Sequence, residues 1–186
     1  MAPAPPPDDQ SPPAAPRAIV LMGVAGSGKT TVGARLAGRL GMPFRDADEF
    51  HPPANVAKMA SGTPLTDDDR WPWLDAIGAA IRDVDDGIVV TCSALKRAYR
   101  ERIKLAGGRP VQFVYLDVSR ESLIERLAAR KGHFFPPNLL DSQLATLERP
   151  TPDEGAIVVA ADGPVDAVAD AVLVALAAHG FAASPA

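Results

Sequence analysis

Apolar and polar residues alternate in two rhythms along this chain. Mostly apolar runs at 18–23, 88–92, 111–116 and 156–160, with a less apolar one at 43–46, have the length of strands. Between them lie longer segments in which apolar positions recur every three or four residues, predicting helices at 29–40, 53–60, about 69–83, 95–106, 119–130, 137–147 and 165–178. In the first of these Val32, Leu36 and Leu40 share a face while Arg35 and Arg39 lie on another, and Gly41 and Pro43 stop the helix. The last, apolar at Val165, Val168, Val172 and Leu176, reads as a closing helix on the core. Pro72 is unsuited to a helix interior, which predicts a turn and cap at Thr66-Asp67-Asp68-Asp69 with Pro72 in the first turn. Strands alternating with helices predict an α/β fold: a five-stranded parallel sheet flanked by helices on both faces.

Composition sets the limits of this unit. The 186 residues suffice for one sizeable core, dividing into a Pro-rich tail at 1–16 and one domain at 17–186. The tail holds Pro3, Pro5, Pro6, Pro7, Pro12, Pro13 and Pro16 among Ala, Asp and Ser, too little apolar surface to pack. It has neither the basic start nor the apolar stretch of a signal peptide, and no 18-residue apolar run follows that would span a bilayer. A single cysteine, Cys92, excludes an internal disulfide. The expectation is a cytoplasmic protein. A net charge of −4 without a basic stripe argues against sequence-independent nucleic-acid binding.

Chemistry enters at Gly23-Val24-Ala25-Gly26-Ser27-Gly28-Lys29-Thr30, which fits G-x-x-x-x-G-K-[ST] immediately after a predicted strand and at the start of a predicted helix. Backbone N–H groups of Gly23, Ala25, Gly26, Ser27 and Gly28 would converge on phosphate oxygens, helped by the positive end of the helix dipole. Lys29 would reach the β- and γ-phosphates, the Thr30 hydroxyl would ligate Mg²⁺, and Thr31 completes the nucleotide contacts. The competing reading, a glycine-rich turn that binds nothing, is disfavoured by the strand and helix on either side.

Asp46-Ala47-Asp48 ends the second predicted strand, at the carboxyl edge where an open parallel sheet has its ligand crevice. If strand geometry persists through Ala47, both carboxylates share a face, one for a metal and one for a substrate hydroxyl. An acidic strand exit that only caps a helix is the open alternative. Downstream, His51, Asn55, Lys58 and Arg70 are interleaved with Met59, Leu65, Trp71 and Trp73, a texture suited to a small anionic acceptor. His51 by itself reads as a structural histidine sooner than as a ligand, and the tryptophans as packing sooner than as stacking platforms.

The segments Asp46-Ala47-Asp48-Glu49-Phe50-His51-Pro52, Lys58-Met59, Gly62-Thr63-Pro64-Leu65-Thr66-Asp67, Asp69-Arg70-Trp71-Pro72-Trp73-Leu74, Cys92-Ser93-Ala94-Leu95-Lys96-Arg97-Ala98-Tyr99-Arg100 and Gly132-His133-Phe134 with Ser142-Gln143 follow the phosphate loop in order. Together they resemble the bacterial-type gluconokinases, from about Ile19 to Glu148. The resemblance implies ATP-dependent phosphorylation of D-gluconate to 6-phosphogluconate, on a P-loop kinase fold like that of nucleoside monophosphate kinases and shikimate kinase. It also implies a homodimer, and substrate contacts at His133 and Gln143. Ala47 stands where the family pattern has glycine, which would bring a methyl group to the metal's approach.

At 91–96 a strand end opens a helix, so backbone N–H groups with Ser93 are placed to meet the acceptor's carboxylate, and Lys96 and Arg100 supply countercharge. Cys92 as a nucleophile is disfavoured, because phosphoryl transfer to an alcohol requires no covalent intermediate and no partner base is evident. Arg126 and Arg130, four apart, precede Lys131-Gly132-His133-Phe134-Phe135-Pro136-Pro137, and the stretch at about 126–147 reads as a mobile lid bringing positive charge over the phosphates. Pairing of these arginines with Glu121 or Glu125 is the alternative. The adenine pocket is expected near 149–162. The mechanism expected is in-line transfer, with Thr30 and, through water, Asp46 on Mg²⁺, Lys29 and the lid arginines on the phosphates, and Asp48 as base. A shikimate-kinase-like enzyme is the nearer rival, although its substrate loop would carry a Gly-Gly-Gly run at 92–94. A nucleotide-sensing regulator is the more distant one.

Overall fold

The structure, a computed structural model, describes residues 18–129 and 137–181. The tail at 1–16, Arg130 and His133 therefore lie outside the described residues. Strands β1 (Ala18–Met22), β2 (Phe44–Asp46), β3 (Ile88–Thr91), β4 (Val111–Asp117) and β5 (Ile157–Ala160) form one sheet in the order β2-β3-β1-β4-β5. Every pair is parallel, with Leu21 opposite Thr91 and Met22 opposite Tyr115.

Alternation along the strands separates two cores. Ala18, Val20 and Met22 join Ile88, Val90, Phe113 and Tyr115 against Leu74, Ile77 and Ile103, which come from α3 (Asp67–Arg82) and α4 (Arg97–Gly107). Ile19 and Leu21 join Val89, Val114 and Leu116 on the opposite face, against α1 (Lys29–Leu40) and α7 (Val165–Ala178). With both faces covered, β1 is wholly buried, as a continuous apolar run in a central parallel strand requires. Gly33 sets the closeness of α1 to the sheet, since a Cβ there would lie 2.7 Å from Thr91 Cγ2 and 2.8 Å from Phe44 Cε2.

Two helix starts differ from expectation. Helix α3 begins at Asp67, because Thr66 and Asp69 form a reciprocal capping box; Pro72 is inside the helix rather than in its first turn. The hydrogen bond it deletes would have gone to the exposed Asp68, where water can replace it. Helix α4 begins at Arg97 rather than 95, because the chain first makes a tight turn at Ala94. The remaining helices are α2 (Pro53–Ala60), α5 (Arg120–Ala129) and α6 (Pro137–Thr146). Strand order reverses beside β1, so the loops after β1 and β3 open at the crevice where parallel sheets bind ligands.

Candidate active site

The loop between β1 and α1 turns through Gly26 and Gly28 at φ 82° and 88°, a left-handed region that side chains resist. Gly28 caps α1, and the Lys29 ammonium reaches back to the Val24 carbonyl at 2.9 Å, across the mouth of the loop. Ala25 N–H donates to Gln143 Oε1 on α6 at 2.7 Å, so Gln143, expected at the acceptor, instead binds the phosphate loop. The Thr30 hydroxyl donates to Asp46 Oδ2 at 2.9 Å, joining the first turn of α1 to the end of β2.

Asp46 and Asp48 reach the same cleft by a route other than the expected one. The strand stops at Asp46, and 47–50 coil into a 3₁₀ turn that Asp46 caps, accepting from Asp48 N–H at 3.1 Å. The cap and the shared cleft coexist, so neither of the two readings excludes the other. Ala47 is buried among core residues, and its carbonyl accepts from Trp73 Nε1 at 2.7 Å. Its methyl group thus packs into the core.

His51 is stacked on Trp73, with ring centroids 4.3 Å apart, and its Nε2 lies 4.0 Å from Asp48 Oδ1. Burial is the main influence on its pKa, which falls below the ordinary value; Asp48 pulls the other way and Arg70 adds to the lowering. Both rings line the cleft, so His51 is at once packed and facing the ligand space.

The cations expected to await an acceptor anion are already paired. Lys58 Nζ binds Asp69 Oδ2 at 2.6 Å, and this bond with those from Thr66 holds the Asp69 carboxyl at about 2. Lys96 Nζ binds Asp67 at 2.7 and 3.0 Å. Arg70 alone of the three lines the cleft, with Nη1 donating to Tyr99 Oη at 3.3 Å and lying 3.5 Å from Asp67 Oδ1. Arg100 is not a countercharge for substrate: it is buried, bound to Glu154 and to the Ala94 and Leu95 carbonyls. Burial pushes the Cys92 thiol up to about 12, which removes it as a nucleophile at neutral pH.

The cleft holds about 1000 Å³ between the phosphate loop, Asp46, Asp48, His51, Arg70 and Ser93. Thr31 also borders it. Arg126 does not pair with a glutamate; it donates to the Ala161 carbonyl at 2.8 Å and borders Gly28. That side of the cleft continues along Ala161, within the stretch expected for adenine, and Gly163, Pro164 and Val165, just beyond it. Arg149, at the start of that stretch, is bound to Asp117 and lies over Tyr115. Sequence reasoning missed Tyr99 as a wall of the cleft; its place three residues after Lys96, on the first turn of α4, was the available signal.

Known proteins share this sequence and fold. A family described as an AAA domain matches residues 19–150. A gluconokinase of Gluconobacter oxydans (strain 621H) is 49% identical over 161 residues, 85% of this chain and 90% of the relative. The crystal structure of a gluconokinase from Sinorhizobium meliloti 1021 superposes with a TM-score of 0.81 at 44% identity, covering 89% of this chain and 94% of that one. Shikimate kinase from Aquifex aeolicus shares the fold, with a TM-score of 0.58 at 20% identity over 88% of this chain and 98% of that one. With that degree of identity over most of both chains, and a P-loop kinase site in the expected crevice, this protein belongs to the gluconokinase family.

Proposed function

We propose that the chain transfers the γ-phosphoryl group of ATP to the 6-hydroxyl of D-gluconate, giving 6-phosphogluconate and ADP. The observation that carries this reading is one cleft in which the Thr30–Asp46 pair at the phosphate loop faces Asp48, His51 and Arg70. Phosphate fits the loop at its left-handed glycine turns and at the start of α1, where a helix N-terminus offers N–H groups to an anion; the Gly23 and Ser27 N–H groups, expected among the donors, are instead given to the Ser93 and Val24 carbonyls at 3.4 and 3.3 Å. Divalent metal fits the Thr30–Asp46 pair: two oxygen donors suit a cation that takes its other ligands from phosphate and water. Mg²⁺ held there supplies neutralisation of the phosphate charge.

Lys29 leaves the Val24 carbonyl for the phosphates, and Gln143 yields the Ala25 N–H to them. Asp48 orients the 6-hydroxyl and takes its proton while the hydroxyl oxygen forms its bond to Pγ and the bond from Pγ to the bridging oxygen of ADP breaks. Its exposed carboxylate, 88% accessible, faces open cleft and is free to receive a substrate. His51 contributes a hydroxyl contact, Arg70 the principal charge for the carboxylate, and Ser93 a hydrogen bond at that same end. Arg126 lies against the nucleotide side, and Arg130 and His133 belong to the segment that would close over the ligands, within a lid at about 126–147. The working form is a cytoplasmic enzyme, a homodimer by family likeness. Among the described residues no helix is long and apolar enough to cross a membrane.

A coupled assay measuring ADP release with ATP, Mg²⁺ and gluconate tests the reading. Turnover with gluconate exceeding that with shikimate or glucose by about 10² or more supports it; nucleotide binding without turnover would leave a sensor, and preference for shikimate would move the protein to the rival kinase.

A further inference from the structure

Arg100 and Glu154 do not line the cleft, yet they make the most buried ion pair among the described residues, with side chains 2% and 6% exposed. The pair is bidentate: Nε donates to Oε2 at 2.6 Å and Nη2 to Oε1 at 2.8 Å. The remaining nitrogen, Nη1, donates to the Ala94 carbonyl at 3.0 Å and the Leu95 carbonyl at 3.3 Å. A buried ion pair is a poor source of net stability, and its better-attested use is to specify one geometry. Here that geometry is unusual. Ala94 has φ 42°, the one non-glycine positive value among the described residues. A left-handed alanine is strained and persists only where its surroundings impose it.

The turn so imposed borders both halves of the site. Ser93 and Leu95 line the cleft, and the Ser93 carbonyl accepts from Gly23 N–H of the phosphate loop at 3.4 Å. On its outer side the Leu95 carbonyl also accepts from Glu148 N–H at 2.8 Å. Lysine could not reproduce this arrangement, because the planar fork of arginine makes the bidentate contact and the carbonyl contacts together.

We infer that Arg100, oriented by Glu154, is a positioning residue of the acceptor site: it holds the Ala94 turn left-handed so that Ser93 faces the carboxylate end of the acceptor. The inference deepens the gluconate-kinase reading and rests on it. Steady-state kinetics on Arg100→Lys, Ala94→Gly and the double variant test it, with melting temperatures measured alongside. Arg100→Lys should raise KM for gluconate about tenfold while KM for ATP stays within about twofold, since the turn meets the phosphate loop only through the long Gly23–Ser93 bond at 3.4 Å but meets the acceptor through Ser93 itself. Ala94→Gly in that background should restore most of the gluconate KM, because glycine adopts the turn without the clamp, even though the melting temperature stays lowered. Glu154→Gln keeps one hydrogen bond to the guanidinium and should give the same selective shift, about threefold, if Arg100→Lys fails to fold. Equal shifts in both KM values, absence of rescue in a folded double variant, or an unchanged gluconate KM in folded Glu154→Gln would overturn the inference. The unmodified enzyme is the control that separates the two levels: no turnover with gluconate defeats the functional reading, whereas turnover with unselective variants defeats only the clamp.

Discussion

Arg70→Met isolates the electrostatic part of acceptor recognition. Of Lys58, Arg70 and Lys96, only Arg70 lines the cleft, and its Nη1 contacts with Tyr99 and Asp67, at 3.3 and 3.5 Å, are both long. Lys58 and Lys96 are held at 2.6 and 2.7 Å by Asp69 and Asp67 and have less to offer an incoming anion. A hydrogen bond to a charged group contributes about 1.5–3 kcal/mol, a factor of roughly 10 to 150. The Arg70 side chain is 29% exposed, so water screens it and the lower part of that range applies, about 10- to 30-fold.

Methionine retains the apolar stem and removes the charge. Expected is a fall of that size in kcat/KM for gluconate, expressed mainly in KM, with kcat/KM for glucose unchanged because glucose has no carboxylate for Arg70 to meet. The ratio between the two substrates should therefore narrow by the same factor. Lys58→Met should cost several-fold less. The assay is coupled ADP release with each substrate at saturating ATP. If the gluconate-to-glucose ratio of a folded Arg70→Met protein stays within about twofold of the parent, Arg70 is not the carboxylate anchor.

Lys29→Ala should bind no less stably folded, by melting temperature, but lose about 10²–10³ in kcat, because the charge it brings to the phosphates acts in the transition state. Asp48→Asn should lower phosphoryl transfer by roughly 10²–10⁴ at unchanged ATP affinity, while Asp46→Asn should raise the Mg²⁺ needed for half-maximal rate; a metal titration that interchanges the two phenotypes reverses their roles. His51 has a folded pKa below its unfolded 6.5, so the unfolded chain takes up the proton first and stability falls as pH drops below about 6.5; His51→Gln should flatten that part of a melting-temperature profile. Iodoacetamide at pH 8 should leave activity intact, since Cys92 is buried with its thiol pushed up to about 12, and rapid inactivation through Cys92 would contradict its assigned burial.

The fold was legible where a signal is local. Four apolar runs and a less apolar fifth became the five strands; the inner β1 and β3 are apolar throughout because a parallel strand buried on both faces has to be, whereas the edge strands β2 and β5 are only partly buried. The phosphate loop was legible for a similar reason: its glycines, lysine and threonine act through backbone geometry set within eight consecutive residues. Boundaries slipped where a side chain outcompeted propensity. Thr66 and Asp69 start α3 earlier than Pro72 suggested, and Asp46, by capping the 3₁₀ turn, ends β2 before the period-two argument could apply.

Which cation faces substrate depends instead on partners far apart in the chain. Arg100 looked like a substrate ligand because it lies one turn from Lys96, but Glu154, 54 residues later, draws it into the interior. Lys96 is claimed by Asp67 across 29 positions, and Lys58 by Asp69 across 11. Both carboxylates come from the first turn of α3, where they also suit the helix dipole. One acidic turn therefore does two jobs: it starts the helix and it pairs both lysines, which on the proposed reading leaves Arg70, the one of the three that lines the cleft, as the positive charge offered to the acceptor. A wall with three free cations would attract any polyanion, ATP included, whereas a single residual charge suits a monocarboxylate. On the proposed reading, specificity for a singly charged acceptor then arises from how many cations the fold pairs with its own carboxylates, a quantity that motif spacing alone does not contain.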